Sequence, residues 1–206
     1  RLDNQSLKRL LAGCVADDAL LQLLRDYAVR TAREQFGLGI YIRGLIELSS
    51  YCRRDCLYCG LRRSNRTAER YRLTADEVME CCREGYRLGF RTFVLQGGED
   101  GTHTDAWLEE LISNMRTTYP DVAITLSLGE RSEESYRRLK AAGANRYLLR
   151  HEAANEELYA SLHPDSASGI AGRLACIDSL KRCGYQVGMG MMIGVKGQSI
   201  NHIAED

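Results

Sequence analysis

Leu45-Ile46-Glu47-Leu48-Ser49-Ser50-Tyr51-Cys52-Arg53-Arg54-Asp55-Cys56-Leu57-Tyr58-Cys59 joins a short apolar run to three cysteines held within eight residues. Leu45, Ile46 and Leu48 read as a strand, and the Arg-rich text after Ser50 reads as the loop leaving its C-terminal end. Three thiolates can therefore converge at the end of one strand. Soft thiolates select iron–sulfur clusters or zinc, and a structural zinc site normally closes with four protein ligands. No fourth ligand completes the local set, so Cys52, Cys56 and Cys59 point to a [4Fe-4S] cluster with one iron left open for a substrate or cofactor. An electron carrier or a zinc-binding module would need a fourth protein ligand, which the sequence does not place.

Outward from this loop, strand-like and helix-like stretches alternate, and such alternation implies parallel strands joined by crossover helices. Strands are expected near 42–48, 92–96, 122–128, 145–149 and 186–192. Thr74-x-x-Glu77 is a capping box, while Ser132-Glu133-Glu134 and Asn155-Glu156-Glu157 put acid into first turns. Gly89, Gly143 and Gly184 mark helix ends. The class is α/β: a parallel TIM-type (βα) barrel, of which only about the first five units are present. An eight-unit barrel takes roughly 250 residues, more than position 206 allows after the N-terminal segment. The fifth strand should then show an apolar edge. Before the barrel, residues 1–40 read as a helical cap on Leu20, Leu23, Leu24, Tyr27 and Ala28, broken at Phe36-Gly37-Leu38-Gly39, with the barrel itself over 41–206. The start at Arg1 and an end at His202-Ile203-Ala204-Glu205-Asp206, inside what reads as an opening helix, suggest a piece of a longer protein.

The chain has 206 residues, 44% hydrophobic and 27% charged, with 28 basic against 28 acidic side chains, a balance that offers no handle for nucleic acid. No run approaches the roughly 18 apolar residues of a membrane span, and the first residues lack a signal-peptide core, so a cytoplasmic location is expected. Eight cysteines with no export signal read as metal binding in a reducing compartment rather than as a disulfide framework. Cys14, Cys81, Cys82, Cys176 and Cys183 read as packed or incidental thiols. Between Arg53 and Arg72 seven arginines face only Asp55 and Glu69, a surface suited to an acidic electron donor of the flavodoxin or ferredoxin type, or else a solvated loop.

Unusual residues fall just after each expected strand, the face on which barrels of this kind carry their active sites. The cysteine loop follows the first, Gln96-Gly97-Gly98-Glu99 the second, Ser127-Leu128-Gly129-Glu130 the third, Arg150-His151-Glu152 the fourth and Met192-Ile193-Gly194 the fifth. Gly97 and Gly98 let a ligand approach the backbone, although diglycine is also plain turn punctuation. Glu130 and Arg150 offer opposite charges at neighbouring strand ends, and also suit a structural ion pair.

Cys-x3-Cys-x2-Cys with the aromatic Tyr58 before the last cysteine resembles the signature of the radical S-adenosylmethionine (SAM) superfamily. The text around it, together with Leu95–Asp100, Thr125–Glu130, Arg146–Glu152 and Met192–Gln198 in the same order, resembles the [FeFe]-hydrogenase maturases of the HydE type, with methylornithine synthase and biotin synthase as cousins. The resemblance implies an enzyme with a [4Fe-4S] cluster and SAM, which cleaves SAM reductively to a 5′-deoxyadenosyl radical. It assigns the cluster to Cys52, Cys56 and Cys59. For SAM it implies the Gln96-Gly97-Gly98-Glu99 segment at the amino group, Glu130 toward the ribose or sulfonium, Arg150 at the carboxylate, and Tyr58, Met192 and Ile193 around the adenine. For a maturase it further implies a small iron complex carrying carbon monoxide, cyanide and cysteine as substrate, and other hydrogenase maturation proteins as partners. Lys196 stands where maturases often have proline.

Overall fold

Alternate residues of each strand point to opposite faces of a sheet, and here one of the two sets is apolar. Ile46 and Leu48 of β1 (Gly44–Ser49), Phe93 and Leu95 of β2 (Thr92–Gly97), Ile124 and Leu126 of β3 (Ala123–Ser127) and Tyr147 of β4 (Arg146–Leu148) are buried. Helices cover that face: α3 (Ala75–Arg87), α4 (Asp105–Thr118), α5 (Glu133–Ala141) and α7 (Gly169–Arg182) bring Val78, Leu108, Ile112, Tyr136 and Ile177 into the same core. The computed structural model describes residues 2–206. Its sheet runs in the order β1-β2-β3-β4-β5, with β5 spanning Gln186–Gly188, and every pairing is parallel. Sequential parallel strands with all crossovers on one side are the wall of a (βα) barrel, here its first five units.

Leu45, Glu47, Val94, Gln96, Thr125, Ser127 and Leu148 alternate with the buried set and face the concave side. That side is largely polar, and Gln96 donates to Glu47 Oε1 across it at 3.2 Å.

The expected helix boundaries are observed. Thr74 and Glu77 form the reciprocal capping box of α3. Ser132 caps α5, and Asn155 caps α6 (Glu156–Leu162). Gly89, Gly143 and Gly184 all take positive φ.

Three features differ in detail. The N-terminal segment is two helices, α1 (Asn4–Ala16) and α2 (Asp18–Phe36), because the Asp17 carboxylate caps a new start by accepting from Ala19 and Leu20 N–H. Neither helix has a buried residue, and α1 packs on α2 and on α8 (Ile200–Glu205). After β4 the crossover is split, since Pro164 follows α6 and lacks the N–H that would continue it. The fifth strand ends at Gly188 rather than near 192, as Gly188 and Gly190 weaken a ladder that resumes only in the bridge Glu152–Met191. Among the described residues no helix is long and apolar enough to cross a membrane.

Candidate functional site

At the C-terminal ends of the strands a cavity of about 340 Å3 is lined by Cys52, Cys56, Cys59, Tyr58, Gln96, Gly97, Gly98, Glu99 and Arg150, together with Arg54, Glu152 and Arg173. All eight cysteines are free thiols, and the three of the loop are half-buried. Cys52 Sγ accepts from the backbone N–H of Arg54 at 3.4 Å and of Glu99 at 3.3 Å. Burial pushes the Cys56 thiol up to about 11, so its ionisation at neutral pH calls for a metal. Among the described residues no three His, Cys, Asp or Glu side chains are placed to share a single metal ion. A cluster takes one thiolate per iron and so needs its sulfurs spread around a cavity, which is how this donor set lies.

The cysteine loop is held from several sides. The guanidinium of Arg70 donates to the carbonyls of Ser50, Leu61, Arg62 and Asn65, closing the loop on itself. Asp100 anchors its base, accepting from Ser49 Oγ at 2.7 Å and from Arg72 Nε at 2.6 Å. Burial alone would raise that carboxyl, but Arg72, Ser49 and the Thr102 N–H together hold it well below the usual range. Gly98 faces the loop so closely that a Cβ there would lie 2.5 Å from both Tyr51 O and Cys52 Cβ, whereas one on Gly97 would meet nothing nearer than Leu128 Cδ2 at 3.7 Å.

Charged side chains continue the wall. Glu99 Oε2 accepts from Arg53 Nε at 2.9 Å and Arg54 Nε at 2.8 Å, and its Oε1 accepts from Glu130 N at 3.1 Å. Glu130 pairs with Arg54 at 2.8 Å and with Arg173 at 3.1 Å, not with Arg150. Among the described residues Arg150 makes no ion pair, and its side chain lines the cavity. Glu152 is buried, takes a positive φ of 69°, and has its carboxyl raised by desolvation. Tyr58 meets His163 edge to face and shares a 3.0 Å hydrogen bond with His163 Nε2. Burial lowers the His163 pKa and keeps the ring neutral.

Of the residues singled out from sequence, the three cysteines, Tyr58, Gln96, Gly97, Gly98, Glu99 and Arg150 meet at this cavity. Glu130 sits behind it, reaching it through Arg54 and Arg173. Met192 and Ile193 are not in its lining, and Ile193 is 65% exposed. Arg54 and Arg173 are new to the site, and Glu152, named before only as part of the segment after the fourth strand, joins them. Glu152 adjoins Arg150 in sequence, but Arg173 lies mid-helix on α7 with no local signal.

Comparison with known proteins agrees with this geometry. Residues 46–206 match the radical SAM superfamily. The [FeFe] hydrogenase maturase subunit HydE of Thermotoga maritima is 41% identical over 93% of this chain and 54% of its own length. The 3-methylornithine synthase of Methanosarcina acetivorans is 26% identical over 95% of this chain and 55% of its own length. A crystal structure of methylornithine synthase (PylB) superposes with a TM-score of 0.89 at 26% identity, covering 98% of this chain and 59% of that one. The chain thus spans about half the length of the curated relatives it matches. With the family match covering residues 46–206, most of the chain and all of the sheet beyond the first two residues of β1, the chain belongs to the radical SAM superfamily.

Proposed function

We propose that this chain carries the cluster and SAM site of a [4Fe-4S] enzyme acting as an [FeFe]-hydrogenase maturase of the HydE type. The observation that carries the reading is the meeting of Cys52, Cys56 and Cys59 with Gly97-Gly98-Glu99 and Arg150 at one cavity. When bound, the cluster supplies the electron that cleaves SAM to methionine and a 5′-deoxyadenosyl radical. The residues of the chain do the rest. Cys52, Cys56 and Cys59 hold the cluster and leave one iron open. Gly97 and Gly98 let the amino end of SAM approach the backbone, and the guanidinium of Arg150 is a fork suited to its carboxylate. Glu152 gives a charged contact for the sulfonium side and Arg173 one for the ribose hydroxyls, with Glu130 acting from behind through Arg54 and Arg173. Tyr58 offers a ring edge for the adenine, with Met192 and Ile193 as further contacts if the segment after β5 folds over the ligand.

In the maturase reading, the substrate is a small iron complex on the polar concave side below SAM, and other hydrogenase maturation proteins are partners. An acidic flavodoxin or ferredoxin delivers the electron in the cytoplasm, docking on Arg62, Arg63 and Arg66, since Arg53 is paired with Glu99. Arg54, Arg70 and Arg72 are committed to contacts within the fold and contribute less to that surface. Charge reversal at Arg62 and Arg63 should slow reduction at low salt, and an unchanged rate would remove the docking idea.

A second reading, methylornithine synthase, is favoured by the superposition on PylB. Identity at 41% to the HydE subunit favours the maturase. An assay for methylornithine formation separates them. The site itself is tested by electron paramagnetic resonance of anaerobically reconstituted, dithionite-reduced protein with and without SAM, using Cys56→Ala as control. A [4Fe-4S] signal that changes shape with SAM supports the reading; a signal indifferent to SAM points to an electron carrier.

A further inference from the structure

The cysteine loop receives an unusual number of bonds from one distant turn. Leu162-His163-Pro164-Asp165, from the last residue of α6 into the turn before α7, reaches the loop three times. Leu57 N donates to Leu162 O at 2.9 Å, Asp55 N donates to Asp165 Oδ2 at 3.1 Å, and the Tyr58 hydroxyl meets His163 Nε2 at 3.0 Å. All three donors lie between Cys52 and Cys59. His163 is only 4% exposed and is itself fixed twice over. Its ring stacks on Tyr159 at 4.0 Å, and its Nδ1 lies 2.9 Å from Tyr159 O. A carbonyl only accepts, so Nδ1 carries the proton and Nε2 presents its lone pair to the Tyr58 O–H. Tyr159 also accepts from Arg173 Nε at 3.3 Å, which ties the same stack to a charged residue of the cavity.

We propose that His163 is a positioning residue: through Tyr58 it clamps the Cys56–Cys59 half of the loop and fixes where the third cysteine and the aromatic edge stand relative to bound SAM. This rests on the cluster-and-SAM reading above for its functional consequence, but the clamp is a property of the folded chain. Leu57 and Asp55 are held by backbone N–H groups and would survive loss of the imidazole. His163 acts on a side chain, so its loss should loosen Tyr58 without unfolding the domain.

The test compares wild type, His163→Leu, His163→Gln, Tyr58→Phe and the double variant Tyr58→Phe/His163→Leu in the full chain. Gln keeps an acceptor near Nε2, whereas Leu keeps only bulk. Limited trypsin digestion of cluster-free protein reads loop opening directly, because Arg53, Arg54, Arg62 and Arg63 are cleavage sites within or beside the loop. On reconstituted protein, iron content, SAM affinity and the SAM-induced change in the electron paramagnetic resonance signal are measured. The clamp predicts faster loop cleavage and about two- to tenfold weaker SAM binding for His163→Leu, the range one net hydrogen bond supplies, with iron content retained. His163→Gln should sit near wild type, and the double variant should be no weaker than either single one. Wild-type cleavage and SAM affinity in His163→Leu, or equal loss in the Gln and Leu variants, would overturn the proposal. If wild type takes up no cluster while His163→Leu still opens the loop, the clamp stands and the enzyme reading falls.

Discussion

Gly97 and Gly98 are neighbours in the sequence and opposites in what they tolerate. At Gly98 a methyl would collide with the Tyr51 carbonyl and Cys52 Cβ, both 2.5 Å away, and a carbonyl cannot swing aside as a side-chain tip can. Gly98→Ala should therefore displace the loop and cost most of the iron loading on reconstitution, whereas Gly97→Ser, with 3.7 Å to its nearest neighbour, should load iron like wild type. Equal loading by the two variants would show that the loop is not seated on Gly98. Asp100 gives a prediction in pH. Its carboxyl is held low in the folded state by Arg72, Ser49 and the Thr102 N–H against the upward push of burial, so its stabilisation is complete above the unfolded value of about 4 and fades as pH falls below that. Asp100→Asn should be less stable than wild type by about 2 kcal/mol at pH 7 in urea unfolding, with the gap beginning to narrow as pH falls below about 4. A gap that is constant over that range would assign the loss to packing. At this scale the sequence was most informative where ligands are local. Three cysteines in eight residues are legible because the chain itself brings them together, and the diglycine is legible by its place after a strand. Arg173 and His163 were not, because what brings them to the loop is the packing of α6 and α7, more than a hundred residues away.

Elements were legible where a side chain or a glycine enforces the boundary. Thr74 with Glu77, Ser132 and Asn155 each fix a helix start by accepting a backbone N–H, and these contacts depend on residues within one turn. The fifth strand was read too long because its apolar text, Met189, Met191 and Met192, is interrupted by glycines whose effect on pairing depends on the neighbouring strand. That shortening also explains why Met192 and Ile193, expected at a strand end, stand off the cavity. The long loop between β1 and α3 is the element most exposed to disruption, since it has almost no regular secondary structure of its own. Its substitute is Arg70, whose one planar guanidinium serves four carbonyls. Lysine offers a charge but no fork, so Arg70→Lys is not a conservative change here. It should lower stability by about 1–3 kcal/mol and raise the rate of trypsin cleavage in the loop, the former read by thermal unfolding. A variant indistinguishable from wild type in both would mean that the loop is held by its distant contacts alone.

For the whole molecule the governing fact is a parallel sheet with two free edges. A closed barrel has none, but here β1 and β5 each have one neighbour. Free edges present unpaired N–H and C=O groups, and they are hazardous when apolar side chains stand beside them. Leu45 on β1 is 55% exposed and Met189 just beyond β5 is 45% exposed. The run Ile40-Tyr41-Ile42 leading into β1 is exposed as well. Covering one such leucine is worth about 1–2 kcal/mol, so a few together with new backbone pairing outweigh the cost of association at ordinary protein concentrations. We therefore expect this 206-residue chain, studied by itself, to self-associate reversibly as its concentration rises, in sedimentation velocity or light scattering. Leu45→Glu and Met189→Glu place a charge at each edge without touching the buried face, so each should reduce association and the pair should suppress it. Cluster loading should change little in the double variant, because the cysteine loop is held by Gly98, Asp100, Arg70 and the turn after α6, none of which lies at a sheet edge. If the wild-type chain stays monomeric across the concentration range, α1 and α2 or the segment leading into β1 shield the edges in solution. If association persists in the double variant, its driving surface is the pair of N-terminal helices rather than the sheet.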